Sequence, residues 1–296
     1  MTNKDSFTEY HPIINFMFFI GAIVCGMFYI HPYFVGVSVF CAAAYLITVR
    51  GTKAFSILAG MCGVFIVISI INPIFNTNGE HVLCQLFGRP YTLEALLYGM
   101  TLAGMMVSIL LWFVSYQTVM TSDKFLYLFG GLSPAFSLVL TMILRLVPNY
   151  QKKIMQISEI RKSIGKSAGD GTLRQKTEHG ITVLSVTTTW ALEGGIVMAD
   201  SMQSRGYGCG KRSRFSIYRM GNGDKLLLIL MTLLLTITLV CGAKGMASIT
   251  FAPTIQMHGS TMVRIGGLIV YMLFLMLPTM INIKENVTWH ILRSKI

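Results

Sequence analysis

Long apolar runs alternate with short polar breaks along the first third of the chain. Runs at residues 12–29, 34–49, 54–71 and 93–114 each approach the ~20 residues that carry a helix across a bilayer. They predict four membrane-crossing helices. The breaks carry turn chemistry. "HPYF" at residues 31–34 makes a tight turn, "RGTK" at residues 50–53 makes a basic one, and Asn72-Pro73 ends the third run. A polar, glycine-containing loop at residues 77–92 precedes the fourth run. Two further runs, at residues 226–241 and 263–281, predict the fifth and sixth spans. No internal repeat relates the runs, which argues against an inverted-repeat transporter.

The texture changes between the fourth and fifth runs. Residues 117–223 are mixed in polarity, with one apolar helix expected at residues 134–147. The stretch is too long for an ordinary connection, and it reads as helices at or below the membrane surface. The chain therefore divides into a four-span region (1–116), a middle region (117–223) and a two-span region with a tail (224–296). In "LRLVPNYQKKIMQISEIRKSIGKS", Leu146, Tyr150, Ile157, Ile160 and Ile164 fall on one helical face. Pro148 lets the preceding apolar helix bend into this one, and Gly165 is a stop. In "VLSVTTTWALEGGIVMADSMQSRGYG", Ala191, Gly195, Met198 and Met202 form a stripe that Arg205 continues, with Glu193, Asp200 and Ser204 opposite. Small residues in such a stripe allow helices to cross closely. Gly206 supplies the left-handed residue that ends a helix, and an arginine there suits the helix dipole.

Composition turns these runs into a fold class. Of 296 residues 53% are hydrophobic and only 12% charged, against about 25% charged in soluble domains. The expected fold is an all-α integral membrane protein of about six transmembrane helices, with long cytoplasmic helices between the fourth and fifth spans. The net charge of +12 orients it. With a cytoplasmic amino terminus, the opposite side keeps only Arg89, Lys244 and Arg264 among the cations. Both termini and the middle region are then cytoplasmic. Without a separate basic domain or nucleic-acid motif, the excess charge fits cytoplasmic loops and anionic lipid rather than nucleic acid. "MTNKDSFTEY" lacks the plan of a signal peptide, and the six cysteines show no ligand spacing.

The motif at the end of the middle region is more specific than the composition. "SMQSRGYG", then "KRSRF", resembles the second signature of the transmembrane T component of energy-coupling-factor (ECF) transporters. That family carries two Ala-Arg-Gly signatures, each ending a cytoplasmic coupling helix. Ser204, Arg205, Gly206 and Tyr207 match the second, with serine for alanine. "LTMILRLVPNY" resembles the stretch entering the first coupling helix, and "HPIINF" and "IHPYF" resemble the starts of the family's first two spans. The likeness covers most of the chain. The first signature falls at Ser163, Ile164 and Gly165, so isoleucine stands where the family has arginine. Arg161 lies one turn earlier.

The resemblance implies a non-catalytic subunit of a prokaryotic cell-membrane importer. It implies two cytosolic ABC ATPases as partners and a small membrane substrate-capture (S) component, with a vitamin or a transition metal such as cobalt or nickel as cargo. Each coupling-helix end would sit in a groove of one ATPase, where an arginine makes a directional, charge-assisted contact with carboxylates. The unequal ends make two non-identical ATPases one expectation. The runner-up is the permease subunit of a conventional ATP-driven importer, whose coupling segment is usually a short loop.

Other chemistry finds little support. The histidines make no metal spacing, and His11 and His31, each before a proline, read as helix-end residues. No phosphate loop of the G-x-x-x-x-G-K-[ST] type occurs, so ATP hydrolysis belongs to partners. No acid lies in the middle of a span, which argues against proton-coupled transport. No catalytic site, cofactor or metal is expected, and the twenty methionines read as pliable packing.

Overall fold

The structure, a computed structural model, describes residues 5–76, 79, 81–86, 89–129, 134–165, 172–210, 218–251, 256–257 and 260–293. Lys4 and the basic stretch at residues 211–215 lie outside the described residues. The chain is an all-α membrane protein. After a 3-10 turn (Ser6–Glu9) come α1 (Pro12–Phe28), α2 (Pro32–Arg50), α3 (Lys53–Phe75), α4 (Leu93–Val119), α5 (Ser122–Phe129), α6 (Pro134–Ser163), α7 (Leu173–Ser204), α8 (Asn222–Ala243) and α9 (Thr261–Arg293). Two short antiparallel ribbons interrupt the helices where the sequence predicts only loops. They pair β1 (Val82–Leu86) with β2 (Arg89–Thr92), in the register Val82↔Thr92, and β3 (Ile249–Thr250) with β4 (Gln256–Met257). The chain forms two compact units, Met1–Phe125 with Tyr218–Ile296 and, separately, Leu126–Ile217.

In the first unit, helix starts follow from local chemistry. α1 and α2 each open with a proline in the first turn, where its missing N–H costs no helix bond. The preceding histidines cap them: Nδ1 of His11 accepts from Ile13 N, and Nδ1 of His31 from Tyr33 N, both at 3.3 Å. The helix-end role expected for both residues is thus met. Thr92 Oγ1 caps α4 by accepting from Ala95 N at 3.4 Å. α3 runs past Asn72-Pro73 to Phe75, further than expected. A proline in the last turn leaves the carbonyl four residues back without its helix donor. That carbonyl, on Ser69, lies 3.2 Å from where a Cβ on Gly99 of α4 would stand, so the helices meet closely there. Gly104 meets α2 more tightly still, because a Cβ there would lie 2.6 Å from Val35 Cγ1.

The core of this unit is aromatic. Phe7, Phe18, Phe19, Tyr45, Trp112 and Phe274 are fully buried and meet mostly edge to face, for example Phe18 and Trp112 at 5.4 Å and 74°. Trp112 Nε1 donates to Ser38 Oγ at 3.1 Å, and Ser38 and Ser108 share a hydroxyl hydrogen bond at 2.5 Å. The indole is therefore buried without an orphaned donor.

Among the described residues six helices are long and apolar enough to cross a bilayer, but they are not the six expected. α7 joins α2, α3, α4, α8 and α9, while α1, at 17 residues, falls short. α1 spans only about 25 Å. α7 qualifies because its polar positions are largely threonine, serine and glycine rather than charge. Its mean hydropathy of 1.3 is the lowest of the six, against 2.6 for α8.

The capping histidines make stability depend on pH. Both are buried, and each must be neutral to accept at Nδ1. Burial lowers the pKa of His31, and the Arg264 charge lowers it further. Burial also lowers that of His11, with the Asp224 carboxylate opposing. As pH falls through about 6.5, the unfolded histidines take up protons that the folded ones refuse, so stability drops. The detergent-solubilised protein should melt lower at pH 5.5 than at pH 7.5. His31→Asn, which can still cap, should flatten part of that slope; an unchanged slope would rule out His31 as a source.

Candidate functional site

The second unit holds the residues singled out at the two helix ends, and its frame is a pair of antiparallel helices. Tyr150 of α6 meets Trp190 of α7 edge to face at 5.6 Å, and Lys153 Nζ lies 5.3 Å from the same indole ring. Eleven residues further along α6, Arg161 Nη2 bonds His179 Nδ1 at 2.9 Å, eleven residues back along α7. Arginine only donates, so His179 accepts at Nδ1 and carries its proton on Nε2. Equal steps in opposite directions fix the antiparallel register. α7 starts cleanly, with Thr172 N donating to Gln175 Oε1 at 3.0 Å.

This frame corrects the apolar face read from the sequence. The half-buried side of α6 carries Leu146, Tyr150, Lys153, Ile157 and Arg161. Ile160 and Ile164 point away and are 65% and 66% exposed. Arg161 takes an inward, half-buried position, where its guanidinium finds His179. The apolar helix expected at residues 134–147 and the helix after it are one, since α6 is continuous over 30 residues with Pro148 inside it. The small-residue stripe of α7 is only partly engaged. Ala191, Met198 and Met202 are half-buried, but a Cβ on Gly195 would meet nothing within 4 Å.

Over the described residues the two helix ends share a left-handed glycine one residue past the cap. α7 ends at Ser204, Arg205 is the cap, and Gly206 turns left-handed at φ 79°. Gly206 N then donates to Gln203 O at 3.0 Å and Tyr207 N to Met202 O at 3.1 Å, a Schellman closure. α6 ends at Ser163, Ile164 follows, and Gly165 turns left-handed at φ 75° with its N donating to Lys162 O at 3.1 Å. Ser163 Oγ donates to Glu159 O at 3.1 Å and Ser204 Oγ to Ser201 O at 3.0 Å. Serine, cap residue and glycine therefore occupy matching positions, and the ends differ chemically in Ile164 against Arg205. Both cap residues are exposed. Among the described residues nothing pairs with the Arg205 guanidinium. On the antiparallel register the α6 end lies beside the first turns of α7, so the two caps sit about 40 Å apart along α7.

Arg161 is drawn into the helix pair instead of standing at an exposed end, and sequence reasoning missed its partner. Helical periodicity places Arg161 on a face of α6 but carries no information about which residue of α7 stands opposite. The register between two helices is a property of their packing.

No family model matches the chain. The chain is 27% identical over 194 residues to the energy-coupling factor transporter transmembrane protein EcfT of Lactococcus lactis subsp. cremoris (strain MG1363), a match spanning 60% of this chain and 72% of that protein. By its helix-end motifs and by this alignment, the chain is similar to the transmembrane protein of an energy-coupling factor transporter.

Proposed function

We propose that the chain is the transmembrane energy-coupling component of an ECF-type importer. In this reading it passes the ATP-driven movement of two cytosolic ATPases to a small membrane substrate-capture component that brings in a vitamin or a transition metal. The observation that carries the reading is the pair of matching helix caps on one antiparallel frame, about 40 Å apart, with Arg205 exposed on one of them. An arginine held by a Schellman closure projects a planar donor fork at a fixed place, suited to a carboxylate-lined groove. Ile164, on the twin end, offers an apolar contact instead, so the two ATPase contacts are chemically unequal and suit non-identical ATPases.

The reading takes α7 as a cytoplasmic coupling helix, although its length and composition would also let it cross a bilayer. Crossing there would carry Arg205 and the basic stretch at residues 211–215 to the side opposite Arg50 and Lys53, against the positive-inside bias.

Cys209, exposed just past the Arg205 cap, tests the placement. A variant retaining Cys209 as its single cysteine should react with a membrane-impermeant maleimide only after cells are permeabilised. Labelling in intact cells would overturn the cytoplasmic assignment. Affinity purification in mild detergent should also recover ATPase subunits and a small membrane protein; recovery of a second permease-like subunit would favour a conventional importer.

A further inference from the structure

The amino-terminal segment closes a buried polar knot that the coupling reading leaves unused. Lys124, on α5, is 3% exposed, and its ammonium donates to Thr8 O. With the Asn15 amide turned so that its oxygen faces the ammonium, Lys124 Nζ donates to it at 2.8 Å. Asn15 Nδ2 then donates to Phe7 O at 3.0 Å. Asp5 stands at the other side of the same turn. Its Oδ2 accepts from Tyr45 OH at 2.9 Å and Thr8 Oγ1 at 2.8 Å, and its Oδ1 accepts from Asn282 Nδ2. Asn282 Oδ1 in turn accepts from Phe7 N at 3.1 Å. The knot thus joins the amino-terminal turn to α1, α2, α5 and α9.

A buried ammonium is costly unless its donors are met and a counter-charge is near. Burial pulls the Lys124 pKa down to about 8, while the Asp5 charge opposes the fall. A leucine or methionine would fill such a place without that cost, so the charge calls for a role. The position along the chain suggests one. Lys124 lies two residues before the second unit begins at Leu126, and Tyr218 is the first residue after it ends. Tyr218 packs edge to face on His11 at 6.5 Å, and burial raises its pKa, with the Asp123 carboxylate adding to the rise. The same short segment, residues 5–15, therefore grips the chain on its way out of the first unit and again on its return.

We propose that this segment is a clamp on both connections to the second unit, with Lys124 as its principal positioning residue, so that force arriving through the second unit reaches the membrane helices instead of being lost in slack connections. The force-bearing role rests on the coupling reading above; the clamp itself does not. A knot of several interlocked hydrogen bonds suits this better than apolar packing, because its bonds are directional and yield together.

Hydrogen exchange on the full-length chain tests the clamp. In Lys124→Met, amides of Ser122–Phe129 and of residues 7–10 should exchange about tenfold faster, while α2 and α4 keep their protection. Lys124→Arg, which keeps the charge and donors, should recover most of that protection. Faster exchange throughout α2 and α4 would mean a general stabiliser and overturn the clamp. In the ATPase complex, a non-hydrolysable ATP analogue should change exchange in α9 of the unsubstituted chain. Lys124→Met should shrink that response about fivefold with the ATPases still bound; an undiminished response would overturn the force-bearing role. If the unsubstituted chain binds no ATPase, the coupling reading falls, and the exchange of the chain alone decides the clamp.

Discussion

Replacing Arg205 by glutamate should release the chain from the ATPase proposed to dock at the end of α7, while leaving it folded in the membrane. The folded state tolerates the change because Arg205 is exposed and holds the cap through its backbone, its N donating to Ser201 O at 3.3 Å. An acid there costs only about 0.3–1 kcal/mol through the unfavourable helix dipole. Docking is different. Removing one partner of a hydrogen-bonded charge pair at an interface costs about 2–5 kcal/mol, roughly thirty-fold to several-thousand-fold in affinity. Reversal of charge would add repulsion from the carboxylates proposed to line the groove. Arg205→Lys keeps the charge but loses the planar fork, so it should fall between the two. Co-purification from detergent, with the amount of chain in the membrane as control, reads the outcome. Recovery of the ATPases in normal stoichiometry with Arg205→Glu would remove Arg205 from the docking contact.

Gly206→Val should weaken the same docking almost as much without altering any charge. Gly206 sits at φ 79°, where a residue with a Cβ is strained by about 1–2 kcal/mol and a β-branched one more. The easiest relief is to give up the left-handed turn. The bonds from Gly206 N to Gln203 O and from Tyr207 N to Met202 O then go, and the last turn of α7 either frays or continues. In both cases Arg205 leaves its fixed direction, so an intact guanidinium would no longer meet the groove proposed for it. Gly206→Asn, which tolerates the left-handed region, should retain most of the docking. Exchange of the amides at residues 201–207 should rise in the valine variant and stay low in the asparagine one. Unimpaired docking by Gly206→Val would show that the cap does not aim the arginine.

Ile164 occupies on α6 the place that Arg205 occupies on α7, with the same left-handed glycine after it. The chemical asymmetry of the two ends was legible in the sequence, because caps are written locally. Serine, cap residue and glycine occur in the same order in both places, and a left-handed glycine ends a helix wherever it stands. The helix-end places of His11 and His31, before Pro12 and Pro32, were legible for the same reason. Hydropathy read nearly every apolar run. It set α7 apart from the spans, although α7 is long and apolar enough to cross a bilayer, and it ended an apolar helix at residue 147, whereas α6 runs unbroken to Ser163.

The residues that the sequence left out are those whose partners lie far along the chain. Arg161 and His179 meet because α6 and α7 pack in one antiparallel register, and Ile164 left the expected apolar face for the same reason. Asp5, Asn15, Lys124 and Asn282 look like scattered polar residues near the ends of apolar runs. By itself the sequence determined the class of molecule, most of its helices and the chemistry of both helix ends, since hydropathy, proline and left-handed glycine act within one or two turns. Tertiary structure alone decided which polar side chains are buried together. That depends on how the helices of each unit close on one another, and a buried ammonium can be met only where that closure brings its acceptors.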